Sequence, residues 1–407
     1  MKLNRRGFAS VLLSAAPLLL FATAASAQKR APDKPYLVYV GTYTNKTESK
    51  GIYAYRFDPG VGKLTSLGVA AESEDPSFLA VHPSGKYVYA VNEIDHFGAQ
   101  KSGAVSAFSI DPKTGKLTLL NQAATQGAGP CYISLDKTGK FVLVANYDGG
   151  SIAVFPIREH GSLAPASAFV QHSGSSVNKE RQEGPHAHWI ATSPDNRFAL
   201  AADLGLDEVL IYRFNAGKGT LTRNDPDLRT VPLLLAGFGA EVQPGAGPRH
   251  LAFHPNGKFA YVLTEMEGSV TAFAYKASNG SLSPLQTVST FSILRKDYSG
   301  PKEAAEIAVH PNGKFLYASN RAGIDTISTF SIDPVKGTLR LKDEYPTMGK
   351  TPRNFAIDPT GKFLLAANQE SNNIVIFRID ATTGALSPTG EIAEAPAPVC
   401  ITFVAAK

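Results

Sequence analysis

The sequence predicts an all-β fold, a seven-bladed β-propeller closed by a blade shared between the N- and C-terminal strands, on three observations. A tight turn returns six times, as "HPSGK" at 82, "DKTGK" at 136, "SPDNR" at 193, "HPNGK" at 254 and 310, and "DPTGK" at 358. Each turn sits in the same frame of short apolar runs. The two ends of the chain hold complementary parts of one further unit.

Each element of the repeat has a physical reason. Pro followed by Asn, Asp or Gly reverses the chain between two strands. Runs such as "HLAF" precede the turn and "FAYVL" follows it, giving strands one and two. A third strand follows with apolar alternation, as in "AVSAFSID", "SIAVFPI", "EVLIYRF", "SVTAFAY", "TISTFSID" and "IVIFRID". Gly-x-Leu then opens a fourth, with the glycines at Gly115, Gly161, Gly219, Gly280, Gly337 and Gly384. A spacing of roughly fifty residues over four strands is the signature of propeller blades. Near the start, "YLVYVGTYT", "GIYAYRFD" and Gly62-x-Leu64 supply the second, third and fourth strands of a seventh unit, and "PVCITFV" from 398 supplies its first. Pairing them leaves no open edge. The propeller is expected over residues 34–407.

The tight turns put strand-one starts and strand-two ends on the opposite face, the top, where the long connections 171–186, 223–247 and 285–303 also leave. Aligning the units gives two columns there. The heads of strand one are Ser77, Cys131, His188, Arg249, Ala305, Arg353 and Val399; the ends of strand two are Thr42, Glu93, Tyr147, Leu204, Glu265, Arg321 and Gln369. Scaffolding alone does not call for charged residues there, so these columns predict a site at the mouth of the central channel. Arg249 and Glu265 begin and end one hairpin and could simply pair, a contact of little value by itself on a surface. Three arginines from three units point instead to an anionic ligand. His250 is expected to buttress Arg249. His82, His254 and His310 lie in the tight turns and are expected to be structural. The pair His186 and His188 in "GPHAHW" has no third ligand at a zinc-site spacing, so no metal is expected.

Composition narrows the class. The net charge of +5 falls to about +2 without Lys2, Arg5 and Arg6, and no basic tract follows a nucleic-acid backbone. Residues 1–27 read as an export signal: a basic start, a short apolar run, and Ala25-Ser26-Ala27 before Gln28. The run "NRRGF" resembles a twin-arginine signal, which implies a periplasmic or secreted protein. No later segment is apolar enough to span a membrane. Cys131 and Cys400 fall in units that are not neighbours and are expected to remain buried, unpaired thiols.

The motifs "GTYT", "SKGIYAYRFD", "NYDGGSIAVF", "GPHAH", "DLGLDEVLIY", "GPRHLAFHPNGKFAYVLTE" and "PRNFAIDPTGKFLLAANQES" resemble the seven-bladed lactonase family, over nearly all of the chain after the signal. That family includes propeller-type 6-phosphogluconolactonases and carboxy-cis,cis-muconate cyclases. The resemblance implies catalytic roles for His188 (or His186), Arg249, Glu265 and Arg321, and no cofactor. "SNRAGID" departs from it, with Ala322 where the family commonly has glycine. The expected reaction is hydrolysis of a small anionic sugar lactone. His188 or Glu265 would be the general base, Arg249 would polarise the carbonyl, and Arg321 and Arg353 would hold the anionic group. His186, Glu93, Gln369 and His250 complete the expected binding set. A lactone-forming cyclase and a non-catalytic exported binder are the alternatives.

Overall fold

The computed structural model of the protein describes residue 1, residues 34–224, 230–232, 244–292, 298 and 300–404. The expected export signal therefore lies, Met1 aside, outside the described residues. Strands pair antiparallel into seven sheets. Blades 1 to 6 span residues 79–124, 130–171, 187–232, 248–289, 304–346 and 352–394. Blade 7 joins the last strand, Pro398–Val404, to Tyr36–Thr42, Gly51–Asp58 and Lys63–Glu72. The first strands touch one another in cyclic order, and Pro398–Val404 contacts those of blades 6 and 1. The ring is thus closed by a sheet drawn from both ends of the chain. Blade 3 departs from the pattern. Its third strand, Glu208–Asn215, pairs with Thr220–Arg223 at one end and with Thr230–Pro232 at the other, so part of the expected long connection is strand.

Apolar alternation places one face of each blade against its neighbour. The buried side chains accordingly form seven clusters, one between each adjacent pair of blades. Between blades 4 and 5, for example, Tyr261, Leu263 and Ala272 pack on Ile307, Leu316 and Phe330.

Polar staples fix the register between blades. His82, His254 and His310 reach the carbonyls of Gly139, Gly313 and Gly361 in the next blade's turn, at 2.9, 2.8 and 2.8 Å. These histidines are structural, as their turn positions suggest. The phenols of Tyr39, Tyr89, Tyr261 and Tyr317 likewise donate to the carbonyls of Gly115, Gly161, Gly337 and Gly384. The glycine of the Gly-x-Leu turn is required where it stands. Gly337 has φ of 71°, and a Cβ there would lie 2.3 Å from the Phe259 ring of the preceding blade. Cys131 and Cys400 are buried and unpaired.

Candidate active site

The first column of predicted residues owes its direction to a repeated irregularity. In blade 4, Pro248 pairs with Thr264 and His250 with Leu263, leaving Arg249 as the extra residue of a β-bulge. The same bulge isolates Cys131, His188 and Arg353 in blades 2, 3 and 6, and Val399 in blade 7. A bulge turns a side chain out of the pleat. Here it sends one side chain from each of these five blades toward the channel, and it selects His188 over His186.

Cys131, His188 and Arg353 line a cavity of about 280 Å3 at the top of the ring, together with Glu93, Tyr147, Arg181, Glu265, Glu303 and Arg321, while Arg249 and Val399 border only the smaller space next to it. Beneath it lies a niche of about 10 Å3, walled by Tyr43, Ser77, Glu93, Cys131, His188, Arg249, His250 and Arg353 among others. That is the order of space one water needs. Glu93, Cys131, His188 and Arg353 line both spaces.

Glu265 is the centre of the charge network. Its Oε1 accepts from Arg181 Nη2 at 2.7 Å, and its Oε2 accepts from Arg249 Nε at 2.8 Å and lies 3.1 Å from Arg321 Nη2. His188 Nε2 stands 3.9 Å from Oε2. Burial alone would raise this carboxyl, but Arg321 and Arg249, with His188 and Arg181, hold it well below the usual carboxylate range. The expected Arg249–Glu265 pair therefore exists, but within a cluster of three guanidinium groups on one carboxylate. Burial lowers Arg321 to about 10, and its Nε is buried without a hydrogen-bond partner among the described residues.

His188 is buried, and its imidazole is pushed well below its ordinary value by that burial and by Arg249 and His250. It is neutral at pH 7, with Nδ1 3.6 Å from Cys131 Sγ. Glu93 moves the other way. Burial raises its carboxyl, against Arg353 and the hydroxyls of Ser77 and Tyr43, both of which donate to it.

The structure corrects three of the expected assignments. His250 does buttress Arg249: its Nε2 accepts from Arg249 Nη1 at 3.1 Å, and its Nδ1 donates to Glu306 Oε1 at 3.0 Å. With both nitrogens engaged it positions the arginine, and does not offer itself to a ligand. His186 stacks behind Tyr147, with centroids 4.6 Å apart, and donates Nδ1–H to the Tyr147 carbonyl. It therefore supports the wall and does not line it. Gln369 is absent from both linings; at blades 6 and 7 the niche is walled by Arg353 and Tyr43, whose contact is 2.9 Å from Nη2 to the phenol.

Tyr43 also corrects the second column. Thr42 pairs with Pro398 at the bulge as Asn146 pairs with Pro130 and Thr264 with Pro248, so the equivalent of Glu93 and Glu265 in blade 7 is Tyr43. Arg181 was not foreseen at all. It comes from a long top connection that carries no repeat signal.

The site can hold an oxygen-rich anion against several guanidinium groups, beside a neutral imidazole and a water-sized space. Comparisons with known proteins identify the family. The family model described as "Lactonase, 7-bladed beta-propeller" matches residues 37–403. The chain is 35% identical to the 6-phosphogluconolactonase of Bacillus subtilis, over 91% of this chain and 98% of that protein. It is 38% identical to that of Formosa agariphila, over 86% and 94%. Among solved structures, the periplasmic gluconolactonase of Pseudomonas aeruginosa is 34% identical, with a TM-score of 0.83 over 92% of this chain and 100% of that one.

Proposed function

The chain belongs to the seven-bladed β-propeller lactonase family, and from that premise we propose that it hydrolyses sugar lactones at the channel mouth. The observation that carries the reading is the neutral, buried His188, which borders both the 280 Å3 cavity and the water-sized niche.

A water in the niche gives its proton to His188 as its oxygen bonds to the lactone carbonyl carbon. Arg249, beneath the cavity and aimed by Glu265 and the His250–Glu306 pair, takes up the charge growing on the carbonyl oxygen. The ring C–O bond then breaks, and His188 returns its proton to the departing alkoxide. Arg321 and Arg353 hold the substrate's oxygens. Glu265 is not the base: its lone pairs are taken by three guanidinium groups, which make it a poor proton acceptor. Its work is to hold those arginines in place. No step calls for a cofactor.

We also propose that the protein acts outside the cytoplasm. The basic, apolar and small-residue pattern of residues 1–27 supports this, as does a periplasmic relative.

The test is lactone opening by the protein starting at Gln28, with spontaneous opening subtracted, on 6-phosphoglucono-δ-lactone and gluconolactone. Turnover of either is expected. Activity on neither, with conversion of a muconate-type diacid into its lactone, would replace hydrolysis by cyclisation.

A further inference from the structure

Arg181 stands apart from the other guanidinium groups of the site. It lies on the top connection that leaves blade 2, and both ends of that connection are held by one buried carboxylate. Asp203 Oδ2 accepts from His172 Nδ1 at 2.6 Å, and its Oδ1 accepts from the His186 amide at 2.7 Å. Inside the loop, Ser176 donates to Asp207, Gln182 Nε2 donates to the Leu204 carbonyl, and Asn178 Oδ1 accepts from the Arg181 amide at 3.1 Å. The backbone that carries Arg181 is thus tied to blade 3 at several points.

Its side chain is differently placed. Arg249 and Arg321 are 3% and 7% exposed and are tied to the hairpin that Glu265 ends, whereas Arg181 is 39% exposed at the rim. Glu265 carries one charge and meets three cations. Arg249 and Arg321 already balance it together with Glu303, whose Oε2 lies 3.7 Å from Arg321 Nη2, so Arg181 is surplus to their neutralisation. Among the described residues, both hydrogen bonds of its side chain, to Glu265 and to the Tyr147 phenol at 3.1 Å, use Nη2. Nε and Nη1 keep their donors for another acceptor, and a guanidinium presenting several N–H groups suits phosphate or carboxylate.

We infer that Arg181 receives a terminal anion of the substrate, a phosphate or carboxylate at the end of the sugar lactone remote from its carbonyl, and so makes the site select charged over neutral lactones. The inference rests on the lactone-opening reading. The carbonyl lies deep, over the niche and Arg249, while the solvated anion stays at the rim, where its desolvation costs least. Arg181 is a specificity residue in this account, with Tyr147 holding it in place from behind.

The experiment compares kcat/KM for 6-phosphoglucono-δ-lactone, a glucarate-derived lactone and gluconolactone in the wild type, Arg181→Gln and Arg181→Lys. The wild type is expected to favour one of the charged lactones, and which one tells phosphate from carboxylate. In Arg181→Gln the charged-to-neutral ratio should fall tenfold or more, with partial recovery in Arg181→Lys. A wild type that prefers gluconolactone, or a ratio that moves less than twofold, overturns the inference. Calorimetric titration with 6-phosphogluconate, glucarate and gluconate separates this failure from that of the function. If no lactone is opened, the hydrolytic reading falls. The inference then stands only if the glutamine variant weakens a charged ligand tenfold more than gluconate, and it fails otherwise.

Discussion

Replacing Glu265 by Gln would leave Arg181, Arg249 and Arg321 facing a neutral amide, with two of the three guanidinium groups buried. Removing one partner of a buried ionic network costs roughly 3–5 kcal/mol, because the remaining charges stay out of water unpaired. Glu265→Gln should therefore lower stability by about 3 kcal/mol or more, read as a lower denaturant midpoint at unchanged m-value. An unchanged midpoint would mean that the arginines do not depend on this carboxylate. The loss of stability also means that reduced turnover in this variant would not by itself identify a base. At this scale the sequence was legible wherever the repeat supplied a frame. His188, Arg249, Glu265, Arg321, Arg353 and Glu93 were all found from their column positions and line the cavity or its niche. Arg181 sits in a connection with no counterpart in the other blades, and its arrival at Glu265, 84 residues further along the chain, is a tertiary contact that no local pattern encodes. His186 and Gln369 share the top face of the ring with the site residues. Neither side chain lines the cavity or its niche: that of His186 stacks on Tyr147, and the Oε1 of Gln369 is buried with no hydrogen-bond partner among the described residues.

At the scale of elements, the β-bulge near the head of strand one connects fold to site. A regular strand would alternate its side chains between the two faces of the blade, and both faces are taken up in packing against neighbouring blades. The inserted residue escapes that alternation and points along the channel. The tight turns at the opposite end do the complementary work of setting blade spacing. Gly337→Ala would place a methyl group against the buried Phe259 ring and force a left-handed backbone onto alanine. Backbone strain of this kind costs roughly 1–3 kcal/mol before the clash is counted. Thermal unfolding should show a clear loss of stability, while Gly390→Ala, which also has positive φ but nothing within 4 Å of the added Cβ, should lose less. Equal losses would remove the argument from close approach. These turns were readable from Pro, Asn, Asp and Gly alone. The bulges were not, because an extra residue shows only once the pairing across the hairpin is known. The same blindness put Thr42 where Tyr43 belongs.

Across the whole molecule, ring closure by Pro398–Val404 brings residues from six blades and a loop to one mouth, where three guanidinium groups meet on the Glu265 carboxylate. The architecture was readable from the repeat and from the complementary ends. What the ring encloses was readable only as a list of residue types, since charge compensation depends on which guanidinium reaches which oxygen. The proposed mechanism makes His188 the proton acceptor. Burial, Arg249 and His250 keep this imidazole neutral until the pH falls well below 6.5, whereas Glu265 stays ionised throughout that range. The most direct measurement is therefore kcat/KM for lactone opening between pH 5 and 7.5, in the wild type and in His188→Asn, with spontaneous opening subtracted. The account predicts a wild-type rate that is flat down to pH 6.5 and falls only below it, and a loss of roughly 100-fold or more in the variant. A wild-type limb centred at or above pH 6.5, or a variant that keeps its rate, would contradict it.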